Sequence, residues 1–181
     1  MADIRIRLAT PADAPMLAEL GARTFRDAFA ADNTPEDMAL YLARTYGAAQ
    51  QTAELTHPGI VTLVAEVDGR PAGFAQLRSG QPPGCVVGAS PLEVWRFYVD
   101  RPWHGMGVAQ DLMAAVRREA VTRGGETLWL AVWERNERAK GFYRKCGFLD
   151  AGSQPFILGE DHQTDLVMVS DLAQAIIEAT T

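Results

Sequence analysis

The stretch from Arg101 to Ala109 reads RPWHGMGVA and runs straight into QDLMAAVRREAV, a helix-forming segment. Before it stands LEVWRFYV, whose aromatic and β-branched residues predict a strand. A strand that empties through a glycine-rich loop into a helix constrains the fold more than any other feature here. It predicts a crossover unit with the helix packed on a sheet. One glycine is enough to turn a chain, so Gly105 and Gly107 together mark backbone that a ligand approaches closely. A helix N-terminus leaves its first N–H groups unpaired and carries partial positive charge, which favours an anion, phosphate above all. That ligand lies at the carboxyl end of a strand, the usual place in open α/β sheets. The spacing is neither a Walker loop nor a full GxGxxG, and a purely structural glycine turn is the competing reading.

The flanking sequence fills in the frame. Ile4, Ile6 and Leu8 alternate with Arg5 and Arg7 as in a half-buried strand. TPADAPMLAELGARTFRDAF predicts a helix with Thr10 as N-cap and Pro11 in its first turn. NTPEDMALYL predicts a second, capped by Thr34, with Asp37 closing a capping box, and AAQQTAELTHP a third that stops before Pro58. GIVTLVAEV and RPAGFAQLRSG form a hairpin about Asp68-Gly69, and Gln81 to Ser90 is a loop. TLWLAVW is a strand, NERAKGFYRKC a helix stopped by Gly147, and GFLDAG and TDLVMV are closing strands before a short helical tail from Asp171. The order predicts a single domain over residues 1–181, of mixed α/β class, with helices on both faces of the sheet.

Composition excludes several classes. The net charge of −6 disfavours a nucleic-acid footprint and mildly favours a cationic partner, although solubility alone accounts for such a charge. No apolar run reaches the roughly 18 residues of a membrane span. Cys85 and Cys146 form neither a disulfide framework nor a metal-ligand cluster, which predicts free thiols in a reducing, cytoplasmic setting without a metal.

A second constellation is WERNERAKGFYRKCGF, from Trp133 to Phe148. Asn136 and Tyr143 stand about two helical turns apart and share a face, with Phe142 and Phe148 directed to the core. Alone, such a pair is equally a polar surface residue beside an amphipathic core residue.

Together the two constellations resemble the Gcn5-related N-acetyltransferases (GNAT). The hexad His104, Gly105, Met106, Gly107, Val108, Ala109 is similar to that family's acyl-coenzyme A pyrophosphate loop, Q/R-x-x-G-x-G/A, with His104 at the position of Gln or Arg. NERAKGFYRKCGF is similar to its second motif. GEDHQTDLVM, Gly159 to Met168, and the N-terminal helical phrases look most like the bacterial spermidine/spermine N-acetyltransferases, the PaiA-like group.

The resemblance implies a central, mostly antiparallel sheet with one splayed parallel pair, and transfer of an acetyl group from acetyl-coenzyme A to an amine. It implies that the loop amides hold pyrophosphate and that the backbone of Phe97, Tyr98 and Val99, with Asn136, holds the pantetheine arm. It also implies a homodimer. The acceptor would be a small-molecule amine, a polyamine foremost; a protein or peptide amine is the alternative, as is a coenzyme A-binding regulator without catalysis. An alkyl ammonium near pKa 10.4 must lose its proton to attack, and Glu93 stands as base, cation anchor or structural partner. Regular strand alternation would put Glu93 on one face with Trp95, Phe97 and Val99. Tyr143 fits the family's general-acid position, protonating the departing thiolate.

Overall fold

Two strands decide the layout. β2 (Ile60–Val67) and β3 (Arg70–Arg78) form the hairpin, with Asp68 (φ 49°) and Gly69 (φ 74°) at its tip, the left-handed pair that a two-residue turn requires. Their alternate residues enter different cores. Leu63, Ala65, Ala75 and Leu77 pack under α4 (Val108–Thr122), beside Val108, Leu112 and Val116. Val64 and Phe74 pack instead with Leu17, Leu20 and Phe25 of α1 (Ala14–Phe29) and Met38 of α2 (Pro35–Thr45). The hairpin is therefore buried on both faces, which makes it the spine of a three-layer structure.

The computed structural model describes residues 3–158 and 160–173. Its seven-stranded sheet runs β1 (Ile4–Leu8), β2, β3, β4 (Pro91–Val99), β5 (Thr127–Trp133), β7 (Asp161–Asp171), β6 (Leu149–Leu158). Every neighbouring pair is antiparallel except β4–β5. α1, α2 and α3 (Ala48–Thr56) cover one face; α4 and α5 (Glu137–Lys145) cover the other. Among the described residues no helix is long and apolar enough to cross a membrane.

Four local expectations are corrected. Pro15 has no N–H to bond back to Pro11, so the chain after Thr10 makes a 3-10 turn (Pro11–Asp13) before α1 begins. Asp37 does not close a capping box; Thr34 accepts from its N–H, but the Asp37 carboxylate accepts the N–H of Glu160 at 2.8 Å, tying α2 to the β6–β7 turn. The closing strands are much longer than GFLDAG and TDLVMV, because β6 is an edge strand and tolerates Pro155. Asp171 belongs to β7, and the tail beyond residue 173, like Gly159, lies outside the described residues.

A fifth correction matters for chemistry. The β3–β4 register passes from Gln76↔Arg96 to Leu77↔Val94, which leaves Trp95 as a bulge. The side-chain alternation of β4 therefore slips by one. Glu93 faces the α1–α3 side with Arg96, whereas Phe97 packs on the α4–α5 side. Glu93 and Phe97 do not share a face.

The bulge is fixed by charge. Arg96, 6% exposed, bonds both carboxylate oxygens of Glu54 on α3 and the Gln76 side chain at 2.7 Å, with Trp95 against its guanidinium at 4.0 Å. A buried pair stripped of one member leaves an uncompensated charge. Arg96→Met is expected to lower unfolding free energy by about 3–5 kcal/mol in urea titrations, and Glu54→Gln in that background to restore at least half.

Candidate active site

The loop after β4 begins at Asp100, which is buried, accepts the Arg101 N–H at 3.0 Å and pairs with Arg23 of α1 at 2.9 Å. A 3-10 turn (Arg101–Trp103) follows, and the His104 ring then donates its Nε2–H to the Val99 carbonyl at 2.7 Å. The histidine thus laces the loop back to the strand it left. Gly105 and Gly107 sit at φ 80° and 88°, left-handed values that exclude most side chains, and a Cβ at Gly105 would meet no protein atom within 4 Å. Backbone conformation and open space above the loop, not crowding, select glycine there. Gly107 is the N-cap of α4 and caps with no side chain. Among the described residues the backbone takes only the N–H groups of Met106 (to Trp103 O, 3.4 Å) and Asp111 (to Gly107 O, 3.1 Å) across this boundary. The amides of Gly105, Gly107, Val108, Ala109 and Gln110 stay open. That is the donor set of an anion cradle.

Beside the loop the sheet splits. β4 and β5 pair at Pro91↔Thr127, Leu92↔Leu128 and Glu93↔Trp129, and no further. β5 stays paired with β7 as far as Trp133, and β4 with β3 as far as Val99, so the two strands diverge while each is held from outside. Unpaired main-chain edges face each other across the fork, and an extended polar chain fits between them.

α5 supplies the aromatic side of the fork. Asn136 is its N-cap, with Oδ1 accepting the Ala139 N–H at 3.1 Å, which leaves the side-chain NH₂ to donate elsewhere. The helix ends where Gly147 takes φ 84°. Tyr143 is 8% exposed, its ring 6.1 Å from Phe97, 5.6 Å from Phe142 and 5.8 Å from Phe148. Burial pushes its phenol well above the usual range, which keeps it protonated at every physiological pH. Cys146 is half-buried and burial also pushes its thiol up, away from the thiolate form that a nucleophile needs. Cys85 lies against Gly152 of β6 as a packing residue.

On the opposite face a cleft of about 540 Å³ opens against the vertex of the fork, lined by Arg78, Gln81, Pro82, Glu93, Trp129 and Gln154 among others. Burial raises the Glu93 carboxyl, partly offset by its ion pair with Arg78. Further along the same sheet face stands Asp165 of β7, level with Trp133 on one side and Gln154 on the other. Asp165 is 8% exposed, and burial, then the charge of Glu134, lifts its carboxyl to about 6. Among the described residues no His, Cys, Asp and Glu group is arranged to hold a metal ion.

The family model described as Acetyltransferase (GNAT) family matches residues 22–148. The chain belongs to the GNAT family. An uncharacterized N-acetyltransferase in the pepI 3′ region of Lactobacillus delbrueckii subsp. lactis is 32% identical over 93% of this chain and 97% of its own length. Aminoglycoside N(6′)-acetyltransferase type 1 of Stenotrophomonas maltophilia is 36% identical over 79% of this chain and 84% of its own. The PaiA N-acetyltransferase of Thermoplasma acidophilum, solved with coenzyme A, shares the fold with TM-score 0.76 at 19% identity, covering 93% of this chain and 99% of that one.

This GNAT protein is an acetyl-coenzyme A-dependent acyltransferase, and its open loop amides and forked sheet fit the cosubstrate's phosphates and extended arm. The structure brings Phe97, Tyr98, Val99, His104, Tyr143 and the glycine loop to the fork, but sets Glu93 on the other face. Asp165 was missed in the sequence. It stands inside the strand-like TDLVMV, and only its burial beside Trp133 distinguishes it.

A carboxyl raised by folding costs stability above its folded pKa and nothing below the unfolded value. For Asp165 the penalty grows between about pH 4 and 6 and is complete above it; discounted for its residual solvent contact it is about 1–2 kcal/mol. Asp165→Asn is therefore expected to melt roughly 2–8 °C above the wild type at pH 7.5 by calorimetry, and at the same temperature as the wild type at pH 4.

Proposed function

We propose that this GNAT enzyme acetylates a primary amine of a small polycation, with spermidine and spermine as the leading acceptors. The observation that carries the reading is the cleft that sets the Glu93 carboxylate against the vertex of the fork, on a chain of net charge −6. Acetyl-coenzyme A supplies the acyl group already activated as a thioester. The loop amides from Gly105 to Gln110, Met106 excepted, would hold its pyrophosphate. The fork-side backbone of Phe97 and the Val99 N–H, with Tyr98 holding β4 to β3 between them, and the side-chain NH₂ of Asn136, would hold its arm along β4. His104 already occupies the Val99 carbonyl, so its task is to keep the loop against the strand.

Arg78 takes Oε2 of Glu93, which leaves Oε1 for an incoming ammonium. Glu93 acts as a cation anchor, and its raised carboxyl also brings it nearer to usefulness as a base. Tyr143 protonates the departing thiolate. An ordinary phenol giving its proton to an ordinary thiolate is uphill by about 2 kcal/mol. Burial raises the phenol further, but the same dry surroundings destabilise the thiolate as it leaves, so the gap does not widen in proportion.

A second acceptor class is favoured by the aminoglycoside N(6′)-acetyltransferase among the relatives, since aminoglycosides are also polycationic primary amines. Exposed Leu149 and Ile157 on the edge strand β6 support a homodimer, and two free thiols support a cytoplasmic setting.

The test follows acetyl-coenzyme A consumption with spermidine, spermine, kanamycin and a lysine-terminated peptide. Spermidine is expected to turn over fastest; a preference for the peptide alone would replace the polycation reading. Tyr143→Phe is expected to lower kcat roughly 10²-fold or more with acetyl-coenzyme A affinity unchanged. Gly107→Ala is expected to do the reverse, weakening acetyl-coenzyme A binding about tenfold by calorimetry, because a methyl group at φ 88° strains the turn that presents the amides.

A further inference from the structure

Among the described residues the buried carboxylates are Glu54, Glu93, Asp100 and Asp165. Glu54 is held by Arg96, Glu93 by Arg78, and Asp100 by Arg23 and the Arg101 N–H. Asp165 has no ion pair and no side-chain hydrogen bond in the described structure, and the charge that reaches it, from Glu134, is of its own sign. A residue only 8% exposed whose carboxylate keeps some solvent contact but no counter-charge is a costly feature that a sheet built only for stability would not keep.

Its surroundings are shaped for an organic cation. Asp165 sits in the floor of the sheet directly between Trp133 and Gln154, and Gln154 also lines the cleft that reaches Glu93. Between the Trp129 level and the Asp165 level Val167 is fully buried and Cys85 covers Gly152, so the way from one to the other runs along β5, over the small and partly exposed Ala131. The far end is walled by aromatic rings: Trp133 packs edge-on against Phe29 of α1 at 5.9 Å, and Tyr41 of α2 against Phe156 of β6 at 5.9 Å. The way has a fixed roof at that end, because α2 and the segment before it are bonded to the β6–β7 turn through Asp37–Glu160 and Asn33–Gln163, each at 2.8 Å. Four residues of β5 separate the Glu93 level from the Asp165 level, about 13 Å at a strand's rise per residue. That is the scale of an extended di- or triamine.

We propose that Asp165 is the carboxylate that receives an ammonium group of the acceptor, at the closed aromatic end of a trough whose other end is Glu93. Resting on the amine-acceptor reading above, this names the residue of that site which selects a polycation over a monoamine. Trp133 and Tyr41 contribute ring faces to the same cation. The charge of Asp165 reaches the Tyr41 phenol, which burial raises first, Arg96 and a hydrogen bond with Thr45 lower, and Asp165 raises again. The charged and titratable groups about Asp165 are Glu134 after β5, Tyr41 of α2, the buried Arg96–Glu54 pair that acts on the same Tyr41 phenol and, beyond Trp133, the Arg135 guanidinium at 5.9 Å from that ring. Gln154 and Phe29, from β6 and α1, carry no charge.

The experiment is calorimetric binding of spermidine and of kanamycin to the protein saturated with coenzyme A, at pH 7.5 and pH 5, for wild type, Asp165→Asn and Asp165→Glu. Spermidine keeps its full charge over this range, so any pH dependence belongs to the protein. Wild type is expected to bind about tenfold more weakly at pH 5, where a carboxyl of pKa about 6 is mostly protonated. Asp165→Asn is expected to bind at least tenfold more weakly at pH 7.5, with a smaller pH step and unchanged acetyl-coenzyme A affinity, and Asp165→Glu to keep most of the binding. If wild type binds and Asp165→Asn matches it within twofold at both pH values, the Asp165 assignment falls while the amine reading stands. If wild type binds acetyl-coenzyme A but neither amine, both fall together. The wild-type pH step needs no variant: a flat response also removes the assignment, whatever the stability of the substituted chains.

Discussion

Beyond Glu93 and Trp129 the two central strands stop exchanging hydrogen bonds, and the rest of the molecule is arranged around that gap. Backbone groups abandoned in the middle of a sheet are expensive, so the separation has to be enforced. On one flank the Trp95 bulge turns β4, and Arg96, anchored to Glu54 of α3, keeps the bulge in place. On the other flank β5 is bonded to β7 along its whole length, so it cannot lean back toward β4. Phe97, Phe142 and Tyr143 fill the space behind the fork with rings rather than with strand pairing. The opening is thus a held shape, with its hydrogen-bonding edges already displayed to an extended ligand.

A fork also joins the two faces of a sheet that is elsewhere sealed by helices. The glycine loop and Tyr143 approach it from the side of α4 and α5, and Glu93, through the one-residue slip at Trp95, from the side of α1 to α3. Without the slip, Glu93 would share Phe97's apolar side, against the α4–α5 core. One inserted residue thereby separates the charged groups suited to a cationic acceptor from the apolar ones suited to burying a phenol.

The sequence made the loop readable because two glycines next to a helix start have few other uses, and their positive φ values are the physical reason. Strands such as LEVWRFYV and TLWLAVW were readable from side-chain type. The bulge was not, since nothing local distinguishes Trp95 as the extra residue; its position follows from Arg96 finding Glu54 some forty residues earlier in the chain. Asp37 misled for the same reason. Its carboxylate does accept the Thr34 hydroxyl, but its other oxygen goes to the Glu160 N–H across the groove and not to the backbone of the cap. Asp165 gave no signal because an acid among apolar strand residues usually faces water, and only the tertiary arrangement of Trp133 and Gln154 encloses it.

The contrast among the buried acids carries the physical argument furthest. Glu54 and Asp100 are matched by arginines from other elements and serve to hold α3 and α1 to β4. Glu93 is matched at one oxygen only. Asp165, in β7 between a tryptophan and a glutamine, is unmatched among the described residues. Along this series the compensation supplied by the protein declines as the groups approach the trough, which is the gradient a site needs if a cationic guest is to supply the missing partner. An ammonium entering there gains more than it would at a satisfied surface pair, because the carboxylate's desolvation has already been met by the fold. The stability surrendered at Asp165 and the affinity available to a polycation are then two readings of one electrostatic fact.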